Sequence, residues 1–119
     1  KKKCMTIEDF RDENLLMFNV DSVQNELLKN RFDQLKLNPR IIMRSSQLYT
    51  TLKFIDNGSC GCFLFSDMLP HFKQYKGIPL EPPIDVNIGI VWKKGNFLSH
   101  SAQLFIDFAM QYCSENITT

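Results

Sequence analysis

The first half of the chain alternates between short apolar runs and amphipathic stretches. Short runs of apolar and β-branched residues predict strands near residues 15–19, 40–44 and 61–65. Between them, apolar residues recur at spacings of three and four after Asp21 and again after Ser46, which predicts two helices. The order strand, helix, strand, helix, strand with short connections indicates right-handed crossovers and a parallel sheet.

Residue types at the helix ends predict where these two helices begin and stop. Asp21 is expected to cap the first helix as part of a capping box, and Ser45 or Ser46 to cap the second. Asn57-Gly58 is expected to end the second helix, because glycine accepts the left-handed conformation that a helix C-terminus often needs.

The pattern changes in the second half of the chain. Residues 69–83 are rich in proline and turn residues and leave room for one short edge strand. Strict alternation of apolar and other residues over 86–93 then predicts a further strand. A turn over 94–96 is followed by Ser99, the expected cap of a final helix. The inner face of that helix is predicted to consist of Ala102, Phe105, Ile106, Ala109 and Cys113.

Composition limits the function classes. The chain has 119 residues, 44% of them hydrophobic, which is enough for a single core. Its 14 basic and 13 acidic residues are mixed along the sequence and leave a net charge of +1, so nucleic acid is not expected to bind this piece directly. No apolar run reaches the ~18 to 20 residues that span a bilayer. We therefore expect no membrane partner, and the unpaired cysteines favour a cytoplasmic protein.

The chemically reactive residues predict neither catalysis nor a cofactor. The only histidines, His71 and His100, belong to no nucleophile motif. The four cysteines form no CxxC pair, so we expect reduced thiols and no metal; Cys60 and Cys62 are interpreted as buried residues of a central strand. The glycines at 58 and 61 lie between a helix and a strand, which excludes the two nucleotide-binding fingerprints.

The most informative polar residues follow the second strand. Arg44, Ser45 and Ser46 lie where that strand ends and the next helix begins, and ligands of open α/β sheets bind at this carboxyl edge. A helix N-terminus offers unpaired N–H groups and partial positive charge, which suits a carboxylate or another anion. Asn19 and Ser66 are expected on neighbouring strand ends. The alternative is that the serines are ordinary helix caps.

Three segments together resemble a known family. Met5–Phe18 (MTIEDFRDENLLMF), Pro39–Leu69 (PRIIMRSSQLYTTLKFIDNGSCGCFLFSDML) and Ile84–Tyr112 (IDVNIGIVWKKGNFLSHSAQLFIDFAMQY) are similar, in order and spacing, to the second effector-binding subdomain and C-terminal helix of LysR-type transcriptional regulators. The chain departs from the family in its third strand. Gly58-x-x-Gly61 replaces the usual Gly-x-Gly, and Phe65 stands where the family often has proline.

The resemblance implies a fold and a function. The fold would be α/β and three-layered, with a mainly parallel sheet of the type 2 periplasmic-binding-protein kind. Residues 1–94 would form the second effector-binding subdomain. Residues 95–119 would form the helix that, in the family, returns to pack on the first subdomain. A small-molecule effector would bind in the cleft between the subdomains, with Ser45 and Ser46 facing it.

The same resemblance predicts the partners. The helix-turn-helix and the first subdomain are expected to lie outside this sequence, so DNA would be contacted only through that missing N-terminal domain. A homo-oligomer is expected, because the apolar side chains of the final helix would otherwise be exposed to solvent. Two alternatives remain open: a fragment of a periplasmic-type solute-binding protein, and an enzyme on a flavodoxin-like sheet.

Overall fold

Three short parallel strands organise the first part of the protein, as seen in a computed structural model that describes residues 2–116. The strands and helices follow the predicted order: β1 (Asn14–Met17), α1 (Val23–Gln34), β2 (Arg40–Arg44), α2 (Leu48–Asp56) and β3 (Gly61–Cys62). The order across the sheet is β2-β1-β3, with both pairs parallel. The predicted parallel α/β arrangement is therefore confirmed for this part of the chain.

The middle position of β1 explains why it is the most buried strand. Leu15 pairs with Ile41 on one side and with Gly61 on the other. The prediction for the third strand is wrong in length and place, because β3 has only two residues and lies at an edge of the sheet. Cys60 and Cys62 are consequently half-buried instead of fully buried.

The hydrophobic core joins α1 to β1. Leu15 and Met17 of β1 pack with Leu28 and Phe32 of α1, and each of these side chains is almost fully removed from solvent. Ile7 and Leu37 complete the cluster. Because burying one such side chain contributes about 1.5 to 3 kcal/mol, this contact fixes α1 on the central strand.

The helix caps differ from those predicted. The hydroxyl of Ser22, not the carboxylate of Asp21, accepts the backbone N–H of Asn25 at 3.2 Å, so Ser22 caps α1. Helix α2 begins after Gln47, and neither predicted serine caps it. Ser45 Oγ instead accepts from the Gln47 backbone N–H at 3.1 Å, which closes a local turn before the helix starts.

The end of α2 and the stretch that follows β3 agree better with the sequence. Gly58 has a φ of 68°, and its N–H donates to the carbonyl of Ile55 at 2.8 Å, as a glycine-terminated helix requires. A 3₁₀ helix spans Ser66–His71. The edge strand for which residues 69–83 left room amounts to one parallel bridge between Met5 and Leu80.

Residues from Val86 onward form a second unit, described here by itself. Helix α3 (His100–Asn116) begins as predicted, with the Ala102 N–H donating to Ser99 Oγ at 3.2 Å. The strand predicted over 86–93 is absent from the described residues, since this stretch has no strand partner to supply a ladder.

Helix α3 buries only part of its predicted inner face, on which Ala102 and Ala109 are half-buried. Ile106 is buried, but Phe105 is 61% exposed and Cys113 is exposed. Among the described residues, no helix is both long and apolar enough to cross a membrane.

Candidate functional site

An open cavity of about 310 Å³ lies at the carboxyl edge of the sheet. Its lining comes from the chain just after β1, from the first turns of α1 and α2, and from the chain after β3. The lining residues are Phe18, Ser22, Val23, Gln24, Leu48, Phe65 and Met68. The cavity is therefore at the edge where ligands of parallel α/β sheets bind.

Side-chain hydrogen bonds hold this edge together. Gln24 Nε2 donates to the carbonyl of Phe63 at 2.6 Å and so connects the first turn of α1 to the chain after β3. Ser22 Oγ donates to the carbonyl of Asn19 at 2.8 Å and fixes the turn between β1 and α1. Two walls of the cavity are thereby held by hydrogen bonds within the same unit, one between distant segments and one within a turn.

The predicted site residues surround the cavity without lining it. Asn19 follows Phe18, and Ser66 follows Phe65, so each is the chain neighbour of a lining residue. Ser45 and Ser46 lie between β2 and Leu48, the lining residue that begins α2. Asn19, Ser46 and Ser66 are exposed, and Ser45 is half-buried. The residues predicted from sequence thus lie at the edge that holds this cavity, but none of them belongs to its lining.

Arg44 has a structural contact that its sequence position did not reveal. Its Nη1 donates to the carbonyl of Phe18 at 2.9 Å and to Oδ1 of Asn25 at 2.6 Å. Asn25 is only 4% exposed and donates through Nδ2 to the carbonyl of Val20 at 3.4 Å. Arg44 and Asn25 therefore brace the chain segment that leads from β1 to the cavity.

Asn25 was missed by the sequence analysis, although the sequence carries a signal for it. It lies three residues before Leu28 and seven before Phe32, on the same face of α1 that these two bury in the core. A polar residue at a buried helical position needs a hydrogen-bond partner. Arg44 supplies that partner from β2.

A second cavity of about 230 Å³ lies between α1 and the end of β2. Asn25 and Arg44 border it, as do Lys29 and Asp33, which form an exposed ion pair at 2.9 Å. Exposed pairs of this kind contribute little to stability. The two cavities thus differ in character, because the first is lined mainly by apolar side chains and the second includes charged ones.

The two helix N-termini at the edge differ in how their N–H groups are satisfied. Ser22 caps α1, whereas within residues 2–116 no side chain caps the first turn of α2. The first residue of α2, Leu48, lines the cavity. The partial positive charge of an uncapped helix end is therefore next to the cavity.

The titratable side chains in the described part of the chain do not form a metal-binding group. No cluster of three or more His, Cys, Asp or Glu side chains occurs there. The cavity lining contains no titratable side chain. Burial and, to a smaller extent, the nearby Cys60 together raise the pKa of the Cys62 thiol to about 11, so Cys62 is a neutral thiol at physiological pH.

Comparison with known families agrees with this geometry. The family model described as the LysR substrate binding domain matches residues 1–114. The chain belongs to this family. Domains of this family form the effector-sensing part of LysR-type regulators, and their fold is periplasmic-binding-protein-like, which confirms the predicted fold class. A search of curated proteins and a search of solved structures each gave no match.

Membership also indicates the general role of domains of this kind. The family's domains sense small molecules and belong to regulators, not enzymes.

Proposed function

We propose that this LysR substrate binding domain binds a small-molecule effector in the cavity at the carboxyl edge of its sheet. The observation that carries the proposal is the position of Leu48, which is both the first residue of α2 and part of the cavity lining. A ligand in the cavity is then next to the uncapped N–H groups of α2, which favour negative charge. The effector is accordingly a carboxylate or another anion.

Five polar residues form the rim of the proposed site. Ser45 and Ser46 precede α2 and offer hydroxyl donors close to its N-terminus, while Asn19 and Ser66 stand beside the lining residues Phe18 and Phe65. Arg44 directly precedes these serines, and its two hydrogen bonds, to the carbonyl of Phe18 and to Oδ1 of Asn25, hold the chain after β1. Each charge-assisted hydrogen bond to an anion contributes about 1.5 to 3 kcal/mol.

The proposed domain arrangement follows the family resemblance. Residues 1–94 act as the second effector-binding subdomain, and residues 95–119 provide a helix that packs on a first subdomain. DNA is contacted through a separate helix-turn-helix domain, and the regulator works in the cytoplasm as a homo-oligomer. With only one wall of the cleft present, most of a bound ligand stays in water, so the 119-residue chain has an affinity in roughly the millimolar range.

The experiment places a tethered carboxylate in the cavity. In a LysR-type regulator that carries this domain, Leu48→Glu adds an acidic side chain to the lining at the N-terminus of α2. Tyr49→Glu is the matched control, because Tyr49 is the next residue of α2, is 75% exposed and does not line the cavity. We expect Leu48→Glu to abolish the effector response of a reporter gene while DNA binding is kept, and Tyr49→Glu to respond normally. A normal response from Leu48→Glu would refute the proposed site.

A further inference from the structure

The wall of the cavity is mostly apolar, in contrast to the polar residues proposed for its rim. Five of the seven lining residues are apolar, and two of these are aromatic. The apolar wall consists of Phe18, Val23, Leu48, Phe65 and Met68. Val23 and Phe65 are more than 40% exposed, so the wall is open to a ligand as well as to water.

The two polar residues of the lining already have partners. Gln24 gives its amide N–H to the Phe63 carbonyl, and Ser22 both donates to the Asn19 carbonyl and accepts from the Asn25 N–H. A ligand in the cavity therefore meets carbon atoms over most of its contact surface. Apolar surface of this kind gains free energy when it is removed from water.

The charge distribution limits what a bare anion gains here. No lysine, arginine or histidine belongs to the lining. A small hydrated ion such as sulfate would lose water against the apolar wall and regain hydrogen bonds only from the N–H groups at the start of α2. A ligand with an apolar body and a single anionic end fits both features at once.

The cavity volume sets the size of that body. About 310 Å³ is at the small end of the range for ligand pockets, which runs from roughly 300 to 1,000 Å³. The volume suits one ring or a short branched chain.

We propose that the effector is a carboxylate with an apolar body about the size of one aromatic ring, held on Phe18, Val23, Leu48, Phe65 and Met68 with its anionic end towards the start of α2. This inference rests on the proposed function. It adds that the apolar body is needed together with the anionic group for a small molecule to bind.

Matched probes separate the body from the anionic group. The ¹⁵N-labelled chain is titrated separately with benzoate, acetate, benzamide and sulfate. Acetate keeps the carboxylate of benzoate and removes the ring, whereas benzamide keeps the ring and removes the charge. We expect benzoate to shift the amide resonances of the lining residues at about tenfold lower concentration than acetate, benzamide or sulfate does.

The outcomes are distinguishable from failure of the proposed function. If acetate or sulfate shifts the same resonances as effectively as benzoate, the cavity edge binds anions but the inference about the apolar body is wrong. If benzamide equals benzoate, the anionic end contributes nothing and the inference is again wrong. If none of the probes shifts these resonances, or if benzoate acts only elsewhere, both the inference and the proposed site are refuted.

A variant of the wall provides the second measurement. Phe65→Ser removes one aromatic side chain from the lining, and Phe97→Ser removes an equally large, fully exposed one that does not line the cavity. We expect benzoate affinity to fall about fivefold or more for Phe65→Ser and to stay unchanged for Phe97→Ser. Acetate should bind both variants as it binds the parent chain. Equal benzoate affinity for parent and Phe65→Ser would overturn the inference.

Discussion

Arg44 at the end of β2 and Asn25 in α1 are joined by a hydrogen bond of 2.6 Å from Nη1 to Oδ1. The same Nη1 donates to the carbonyl of Phe18, the first residue after β1 and part of the cavity wall. One guanidinium therefore links a strand end, a buried helical side chain and the wall of the candidate site. Arg44 was predicted as a ligand-binding residue. It does not line the cavity, and it supports the cavity wall by holding the backbone of Phe18.

The first prediction concerns the stability of this link. Asn25→Ala should lower the free energy of unfolding by about 1 to 3 kcal/mol, because it removes the acceptor for Arg44 Nη1 and the donor to the Val20 carbonyl. Urea unfolding followed by circular dichroism measures the change. Asn30→Ala is the control, since Asn30 is exposed on the same helix. Equal losses for the two variants would mean that the buried link contributes nothing.

The second prediction tests which residue caps α1. Ser22→Ala should reduce stability by about 1 kcal/mol, because the Asn25 N–H loses its acceptor. Asp21→Ala should have a smaller effect, limited to its charge near the helix N-terminus. Unfolding by urea compares the two variants. A larger loss for Asp21→Ala would restore the assignment made from sequence.

These two caps show what a sequence pattern specifies. Hydrophobic spacing identified α1 and α2 because each helix must bury an apolar stripe. The cap was misplaced by one residue at α1, since Asp21 and Ser22 are both good capping residues and only the backbone conformation selects between them. At α2 the sequence predicted Ser45 or Ser46 as the cap. The helix instead begins after Gln47, and Ser45 closes the turn that precedes it.

The second half of the chain shows where the pattern fails. The apolar and other side chains alternate over 86–93, as they would in a strand. A strand also needs backbone hydrogen bonds to a neighbouring strand, and the described residues do not supply one. The candidate site was predicted as an edge of the sheet, because parallel strands end on one side. Its apolar wall was not predicted, since Phe18, Val23, Leu48, Phe65 and Met68 come together only through the packing of four separate segments.

The third prediction concerns the cysteines. Because the pKa of Cys62 is raised to about 11, the fraction of reactive thiolate at neutral pH is small. Timed alkylation of the folded chain with iodoacetamide should therefore modify the exposed Cys4 and Cys113 well before Cys62. The modification rate of Cys62 should keep rising as the pH approaches 11. Peptide mass spectrometry reads out each site, and early modification of Cys62 would contradict the effect of burial.

Self-association is the fourth prediction, and it concerns α3. Leu104, Phe105 and Phe108 are more than half exposed on this helix. Covering such side chains with a second copy of the chain would contribute about 1.5 to 3 kcal/mol each. Analytical ultracentrifugation should show the parent chain as an oligomer and Phe105→Asp as a monomer.

Ser101→Asp is the control for this experiment, because it adds the same charge to an exposed position of α3 without removing an apolar side chain. It should sediment like the parent. A parent chain that is monomeric at high concentration would remove the proposed interface.

The last prediction concerns Ser46 in the intact regulator. Ser46 is exposed and lies two residues before Leu48, the lining residue that starts α2, and it does not cap the helix. Loss of its hydroxyl should therefore leave stability within about 0.5 kcal/mol of the parent, as for an ordinary surface position. If the hydroxyl donates to the anionic end of the effector, Ser46→Ala should weaken the effector response by about tenfold in concentration. Reporter induction across an effector range measures the response, and a DNA-binding assay without effector should be unchanged. Thr50→Ala, one turn further along α2 and also exposed, serves as the matched control. Should Ser46→Ala respond like Thr50→Ala across the whole range, the rim serine takes no part in sensing, and recognition must rest on the apolar wall and the helix N-terminus.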